Sequence, residues 1–312
     1  MISEAYYSLV KHVDDEWCWV VLSETISTTC EAGTAIPFLY RYQGLQQLLT
    51  RLLAFYGEKQ RTHTSMRMNK RTEVYSVYSS VGGSGKTVTA IHLARQLAYR
   101  GHRVFYVSLE SVSSASAMLQ GAASKFSQLL YYAKSTPELL IPRIELLKSR
   151  DPRLGFDYLT PHDQIREMQE MKGEDVRILV EALLTSEQYD YLILDLESSL
   201  HPRIVKALEL SDEVFWIVLD DLPHLFKTRA FQQQIGALRQ VHFVLNKFTG
   251  KYMNDLASLE DEVAGKLPYI PDWKAVYESE QVWQSALFSE QVYEVFTSVR
   301  NQSFPSEEVE AS

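Results

Sequence analysis

Residues 80 to 87 read Ser-Val-Gly-Gly-Ser-Gly-Lys-Thr, and these residue types in this order can grip a chain of phosphates. Gly82, Gly83 and Gly85 let the backbone turn tightly and aim its N–H groups, with those of Ser84 and Val88, at phosphate oxygens. Lys86 then meets the β- and γ-phosphates, and Thr87 offers its hydroxyl to Mg²⁺. The spacing G-x-x-x-x-G-K-[ST] is broken at its first place, where Ser80 stands for glycine. The GGSGKT core still sets this segment apart from an ordinary Gly-rich turn. The implied chemistry is the binding of a nucleoside triphosphate.

Three further polar residues follow apolar runs. Asp195 ends Tyr191-Leu192-Ile193-Leu194, the pattern by which phosphate-loop enzymes hold Mg²⁺ opposite the loop's Thr. The alternative is an aspartate that simply caps a strand end. Glu110 ends Val104 to Leu109; it is either a carboxylate that positions or deprotonates an attacking water, or an exposed acid opening a loop. Asn246 follows Val241 to Leu245 and either faces a nucleobase edge or opens a turn. Catalysis would thus fall to Lys86 and Glu110, and the metal to Thr87 and Asp195.

The elements that must position these residues alternate. Glu73 to Tyr78 reads as a strand entering the loop, and Val88 to Tyr99 as the helix leaving it. Val104 to Leu109, Tyr191 to Asp195, Val214 to Leu219 and Val241 to Leu245 read as buried strands. Residues 174 to 188 read as a helix, and Gly155 to Leu159 as an edge strand. Residues 116 to 150 read as irregular helix broken at Pro137 and Pro142. This order predicts an α/β fold, a mostly parallel twisted sheet with helices on both faces. Lys86, Glu110, Asp195 and Asn246 then gather beyond the carboxyl ends of the strands, where open sheets bind ligands.

Composition narrows the function. With 312 residues and 46% hydrophobic content, the chain is long enough to bury a full core. A net charge of −9 argues against a broad nucleic-acid surface. The basic residues Arg61, Arg67, Lys70 and Arg71 read as a solvated linker. Cys18 and Cys30 lack metal-binding spacing, which points to a reducing cytoplasm. No signal-peptide pattern or run of 18 apolar residues is seen, so the expectation is a chain that is not exported and reaches a membrane only through partners.

Ahead of the main alternation, Trp17 to Leu22 and Ala35 to Tyr40 read as strands, and Gly44 to Tyr56 as a helix. This order resembles the second half of a response-regulator receiver domain, with no room for the earlier strand that would carry the phosphorylated aspartate. A small αβ cap unrelated to receivers is the alternative. The expected organisation is an N-terminal unit over 1–60, a linker over 61–72, the nucleotide domain over 73–299 and an acidic disordered tail over 300–312.

Taken together, VGGSGKT, VFYVSLE, YDYLILDLESSL, DEVFWIVLDD, VLNKF and the late LPYIP resemble the ParA/MinD branch of phosphate-loop ATPases. The resemblance implies ATP and Mg²⁺ as cofactors and a homodimer. A receiver-like unit fused in front is similar to the TadZ/CpaE proteins, which implies a factor that localises or organises a Tad (Flp, type IVb) pilus or secretion assembly, at the pole or the inner face of the membrane through partners. The alternatives are a ParA-type DNA-partitioning ATPase, which needs a basic dimer surface, and a MinD-like membrane regulator. The latter ends in a basic amphipathic helix, whereas this chain ends Pro305-Ser306-Glu307-Glu308-Val309-Glu310-Ala311-Ser312. Family members carry a lysine before the two glycines, and here Val81 stands there. The usual aspartate after the second strand is Glu110, and the residue after Thr87 is Val88. These departures put hydrolysis in doubt more than binding.

If the linker separates two units, a fragment beginning near residue 70 should fold and bind ATP alone. Expression of that fragment and titration with nucleotide tests this; an insoluble product would mean that the first 60 residues belong to the same core.

Overall fold

The computed structural model describes residues 2–3, 20–25, 38–45, 47–49, 51–52, 55, 71–121, 125–160, 165–236, 238, 240–256 and 263–303. Among the described residues there are two sheets. The larger has eight strands: β4 (Glu73–Tyr78), β5 (Val104–Ser108), β6 (Ser149–Arg150), β7 (Asp157–Leu159), β8 (Tyr191–Asp195), β9 (Glu213–Leu219), β10 (Val241–Phe248) and β11 (Val263–Pro268). Their spatial order is β11-β10-β9-β4-β8-β5-β7-β6. Every pairing is parallel except β6 with β7. The predicted α/β architecture is therefore the observed one.

The strands are apolar on both faces because helices cover both, as parallel sheets require. Along β4, Val74 and Tyr78 enter one core while Tyr75 and Val77 enter the other. The same alternation runs through β5, β8 and β9. Helices Phe126–Ser135, Leu140–Leu147, Gly173–Thr185 and Pro202–Leu210 pack the first face; Lys86–Tyr99 and Ala286–Ser303 pack the second. Strand β4 is central, with β8 on one side and β9 on the other. The chain leaves it toward β5 and later returns past it to β9, so a crevice opens at its carboxyl end.

Several boundaries differ from the sequence expectation. Pro137 does break the helical run, but Pro142 lies in the first turn of Leu140–Leu147, where its missing N–H costs little. Arg71 and Thr72, assigned to the linker, stand just before β4 and are bonded to the main domain. Thr72 Oγ1 donates to Tyr189 O at 2.6 Å, and Arg71 pairs with Asp212 at 3.0 Å. Arg300, assigned to the tail, lies in the final helix and pairs with Glu73 at 3.0 Å. Residues 304–312 and the cysteines lie outside the described residues.

In the smaller sheet β1 (Ile2–Ser3), β2 (Val21–Ser23) and β3 (Phe38–Tyr40) run parallel in that order. Strand β1 precedes the two that the sequence analysis predicts. A two-residue strand carries no detectable alternation, and pairing with Val21 and Leu22 is what defines it. Residues 45, 47–49, 51, 52 and 55 are helical, as expected. Among the described residues, no helix is long and apolar enough to cross a membrane.

His92, on helix Lys86–Tyr99, is fully buried between Trp283 and Phe288, and its Nδ1 lies 2.8 Å from Ser289 Oγ. Burial lowers its pKa to about 3. A depressed histidine pKa means that protons favour the unfolded chain below the ordinary value, so its contribution is full above about pH 6.5 and declines as pH falls toward 3. Between pH 7 and 5 the expected loss is roughly 2 kcal/mol. Glu110 and Asp195, whose pKa values are raised, act in the opposite sense. Urea denaturation at the two pH values should therefore show a smaller acid loss for His92→Gln than for wild type; equal slopes would remove this role.

Candidate functional site

The loop between β4 and helix Lys86–Tyr99 is built on left-handed turns. Gly83 and Gly85 have φ of 73° and 95°. Gly85 precedes the helix without a side-chain cap, and no acid stands in the first turn. The first helical bond is Thr89 N to Gly85 O at 3.0 Å, so the N–H groups of Lys86, Thr87 and Val88 have no intrahelical acceptor. Such an end is open to an anion. Ser84 Oγ is buried and has no hydrogen-bond partner among the described residues.

Strand periodicity places the carboxylate. Asp195 shares its side of β8 with Tyr191 and Ile193, the side covered by the loop's helix. Tyr106 from β5 donates to its Oδ2 at 2.8 Å. Its Oδ1 is buried and has no hydrogen-bond partner among the described residues. Thr87 adjoins both Asp195 and Glu110. Burial raises the pKa of Asp195, and burial followed by the charge of Asp195 raises that of Glu110. Burial lowers that of Lys86. Two crowded carboxylates with one ammonium are short of positive charge.

That deficit, with the free Oδ1 and the Thr87 hydroxyl beside it, fits Mg²⁺. This ion takes one or two protein oxygens and keeps water and phosphate for the rest. Among the described residues there is no cluster of three or more His, Cys, Asp or Glu that could enclose a metal by itself. Thr87 and Asp195 are the residues that would hold the ion, directly or through water.

Lys86, Thr87, Glu110 and Asp195 are thus brought together as the sequence predicts. Asn246 is placed differently from a free base-reading amide. Its Nδ2 donates to Ser84 O at 2.7 Å, and its Oδ1 accepts from Lys247 N at 2.8 Å. It braces the loop, with one N–H left to offer. Lys247, at φ 55°, adds a bond from Nζ to Gly83 O at 2.9 Å. Ser80, at the broken motif position, meets Thr228 Oγ1 at 2.8 Å, which ties the loop to helix Leu222–Ile235. A glycine there could not make this bond.

Other site residues escaped sequence reasoning. Lys86 Nζ donates to Ser198 Oγ at 2.7 Å. Ser198 follows Asp195 by three residues, and that proximity was the available signal. Tyr106 is indistinguishable in sequence from its apolar strand neighbours.

The family model described as CobQ/CobB/MinD/ParA nucleotide binding domain matches residues 75–287, and the chain belongs to that family. A putative replication protein A from Rhizobium rhizogenes is 25% identical over 208 residues, covering 61% of this chain and 51% of that protein. The sporulation initiation inhibitor protein Soj from Bacillus subtilis is 25% identical over 187 residues, covering 55% of this chain and 71% of that protein. The chain thus spans about half the length of the replication protein it matches. A ParA family ATPase structure from Chlorobium tepidum superposes with a TM-score of 0.61 at 15% identity, over 74% of this chain and 99% of the other. MinD from Pyrococcus horikoshii, complexed with Mg-ADP, gives 0.53 at 15%, over 76% and 100%. These two likenesses show a shared fold.

A Cβ on Gly85 would lie 2.3 Å from Asn246 Nδ2, whereas one on Gly82 would meet nothing within 4 Å. Gly85→Ala should lower the stability of the nucleotide-free protein by about 1–2 kcal/mol from its left-handed backbone alone, and Gly82→Ala should change it little. Thermal denaturation of the two variants checks this; equal losses would show that the left-handed turn at Gly85 does not constrain the loop.

Proposed function

We propose that this chain is a Mg-ATP-binding protein whose nucleotide state governs self-association, and that hydrolysis is slow or absent. The observation that carries this reading is the convergence of Lys86, Thr87, Glu110 and Asp195 at the open carboxyl end of β4, β5 and β8. The loop's N–H groups and Lys86 would cradle the phosphates, Thr87 and Asp195 the Mg²⁺, and Glu110 would orient water. A bound Mg²⁺ would supply charge neutralisation for the phosphate oxygens.

Slow turnover follows from Val81. A cation delivered to the transferring phosphate is worth about 10³ to 10⁵ in rate in related enzymes, and a valine side chain supplies none. Glu110 adds a methylene to the carboxylate that would position water. ATP then acts as a ligand that sets a state through its differential affinity for monomer and dimer.

In the finer reading this switch localises a pilus or secretion assembly as TadZ/CpaE-like proteins do. The three-stranded αβ unit ahead of the main sheet supports it, as does the net charge of −9. A ParA-type partitioning role is the second reading, favoured by the replication and plasmid partition proteins among the similar chains. Salt-dependent co-sedimentation with DNA in the ATP state would support the second and count against the first.

Lys86→Ala should weaken Mg-ATP binding at least tenfold, about 1.4 kcal/mol, with the fold intact; calorimetric titration measures it, and unchanged affinity would remove the nucleotide reading. Steady-state phosphate release from the wild type should be far below about 1 s⁻¹ and should rise in Val81→Lys. Ordinary turnover without a partner would overturn the slow-switch account.

A further inference from the structure

Helix Pro202–Leu210 begins with a residue that ordinary helix chemistry disfavours there. Arg203 stands in the first turn, where the helix end is itself positive. It is also 1% exposed, and a buried guanidinium is costly unless its donors are satisfied. Four bonds occupy four of the five N–H groups. Nε donates to Leu109 O at 3.0 Å, Nη1 to Met168 O at 2.9 Å, and Nη2 to Ser111 Oγ at 2.7 Å and to Glu197 Oε2. Ser111 Oγ in turn donates to Glu197 Oε2 at 3.0 Å, closing a ring of three side chains.

The partners identify the role. Leu109 and Ser111 flank Glu110 on both sides. Glu197 immediately precedes Ser198, the residue on which Lys86 rests. Leu109 N also donates to Asp195 O at 2.9 Å. One side chain therefore ties the loop after β5 to the loop after β8, and each of those loops carries a group aimed at the phosphate end of the site. Met168 O anchors the same guanidinium to helix Ile165–Glu170, outside both loops.

We propose that Arg203 is a positioning residue for the terminal phosphate of the bound nucleotide, acting through the Glu110 loop and the Ser198 loop; this rests on the nucleotide reading above. The loop backbone and Lys86 would hold the diphosphate common to ADP and ATP. Lys86 would also meet the third phosphate, and its neighbours there are Glu110 and Ser198, so binding of that phosphate would depend on the spacing that Arg203 sets. A lysine in place of Arg203 would keep the charge but lose the planar fork that meets several acceptors at once.

The test compares Mg-ADP with the Mg²⁺ complex of a non-hydrolysable ATP analogue, by calorimetry on the full chain. Ser111→Ala and Glu197→Gln, which spare the buried cation itself, should each weaken the triphosphate analogue at least fivefold while ADP stays within twofold. Arg203→Lys should do the same or more. Equal losses for both nucleotides, or no loss for either, in the two milder variants would overturn the proposal, since a merely structural role does not sense the third phosphate. Lys86→Ala serves as the control that separates the two ideas. If it leaves both affinities unchanged, the nucleotide reading fails; if it weakens both while the three variants do not discriminate, the positioning role alone fails.

Discussion

The phosphate end of this protein is organised around an ammonium held in a buried place. Lys86 is 5% exposed and sits at the positive end of its own helix, where both burial and the dipole oppose it. Ser198 Oγ and the carboxylates of Asp195 and Glu110 answer that charge. The balance is incomplete by design of the site: two acids crowd one cation, while the helix end and the loop amides stay uncapped. A triphosphate with its divalent ion would complete both halves, bringing anionic oxygens to the amides and ammonium and positive charge to the carboxylates.

The sheet makes this arrangement rigid. Strands β4, β5 and β8 are buried on both faces, and their parallel register brings Val77 and Ser108 level with Asp195. Tyr106 reaches Asp195 from the neighbouring strand, a bond to a charged group that contributes about 1.5–3 kcal/mol. Around this fixed floor the loops are tied by single side chains. Asn246 and Lys247 hold Ser84 and Gly83, Ser80 holds Thr228, and Arg203 joins the loops after β5 and β8. Polar contacts therefore join these loops above the apolar core.

The same construction gives meaning to the departures from the family pattern. Ser80 in place of glycine makes a bond that a glycine cannot. Val81 leaves the loop without the usual lysine, and Lys247 brings an ammonium to the loop carbonyl from within the chain. Loop stability has local substitutes, and the charge for turnover is what Val81 does not supply. That division is why binding and state-setting are proposed ahead of catalysis.

The sequence by itself determined the phosphate loop, the alternating strands and helices, and the placement of Lys86, Glu110, Asp195 and Asn246 near strand ends. Those features follow from local rules: glycines needed for positive φ, apolar runs of strand length, and polar residues at their ends. Tertiary structure alone decided the partners. Nothing local distinguishes Tyr106 from Phe105, but strand pairing turns its hydroxyl to Asp195. Arg203 carries no local signal at all, and its role exists only once residues 109, 111, 168 and 197 are folded around it. Asn246 was legible in position, but the bonds of its amide to Ser84 and Lys247 were not, because those contacts depend on β4 and β10 both flanking β9. Strand β1 is too short to show a period and exists through its neighbour β2. Local spacing fixes where a polar group lies along the chain; which group it meets depends on residues tens to more than a hundred positions away.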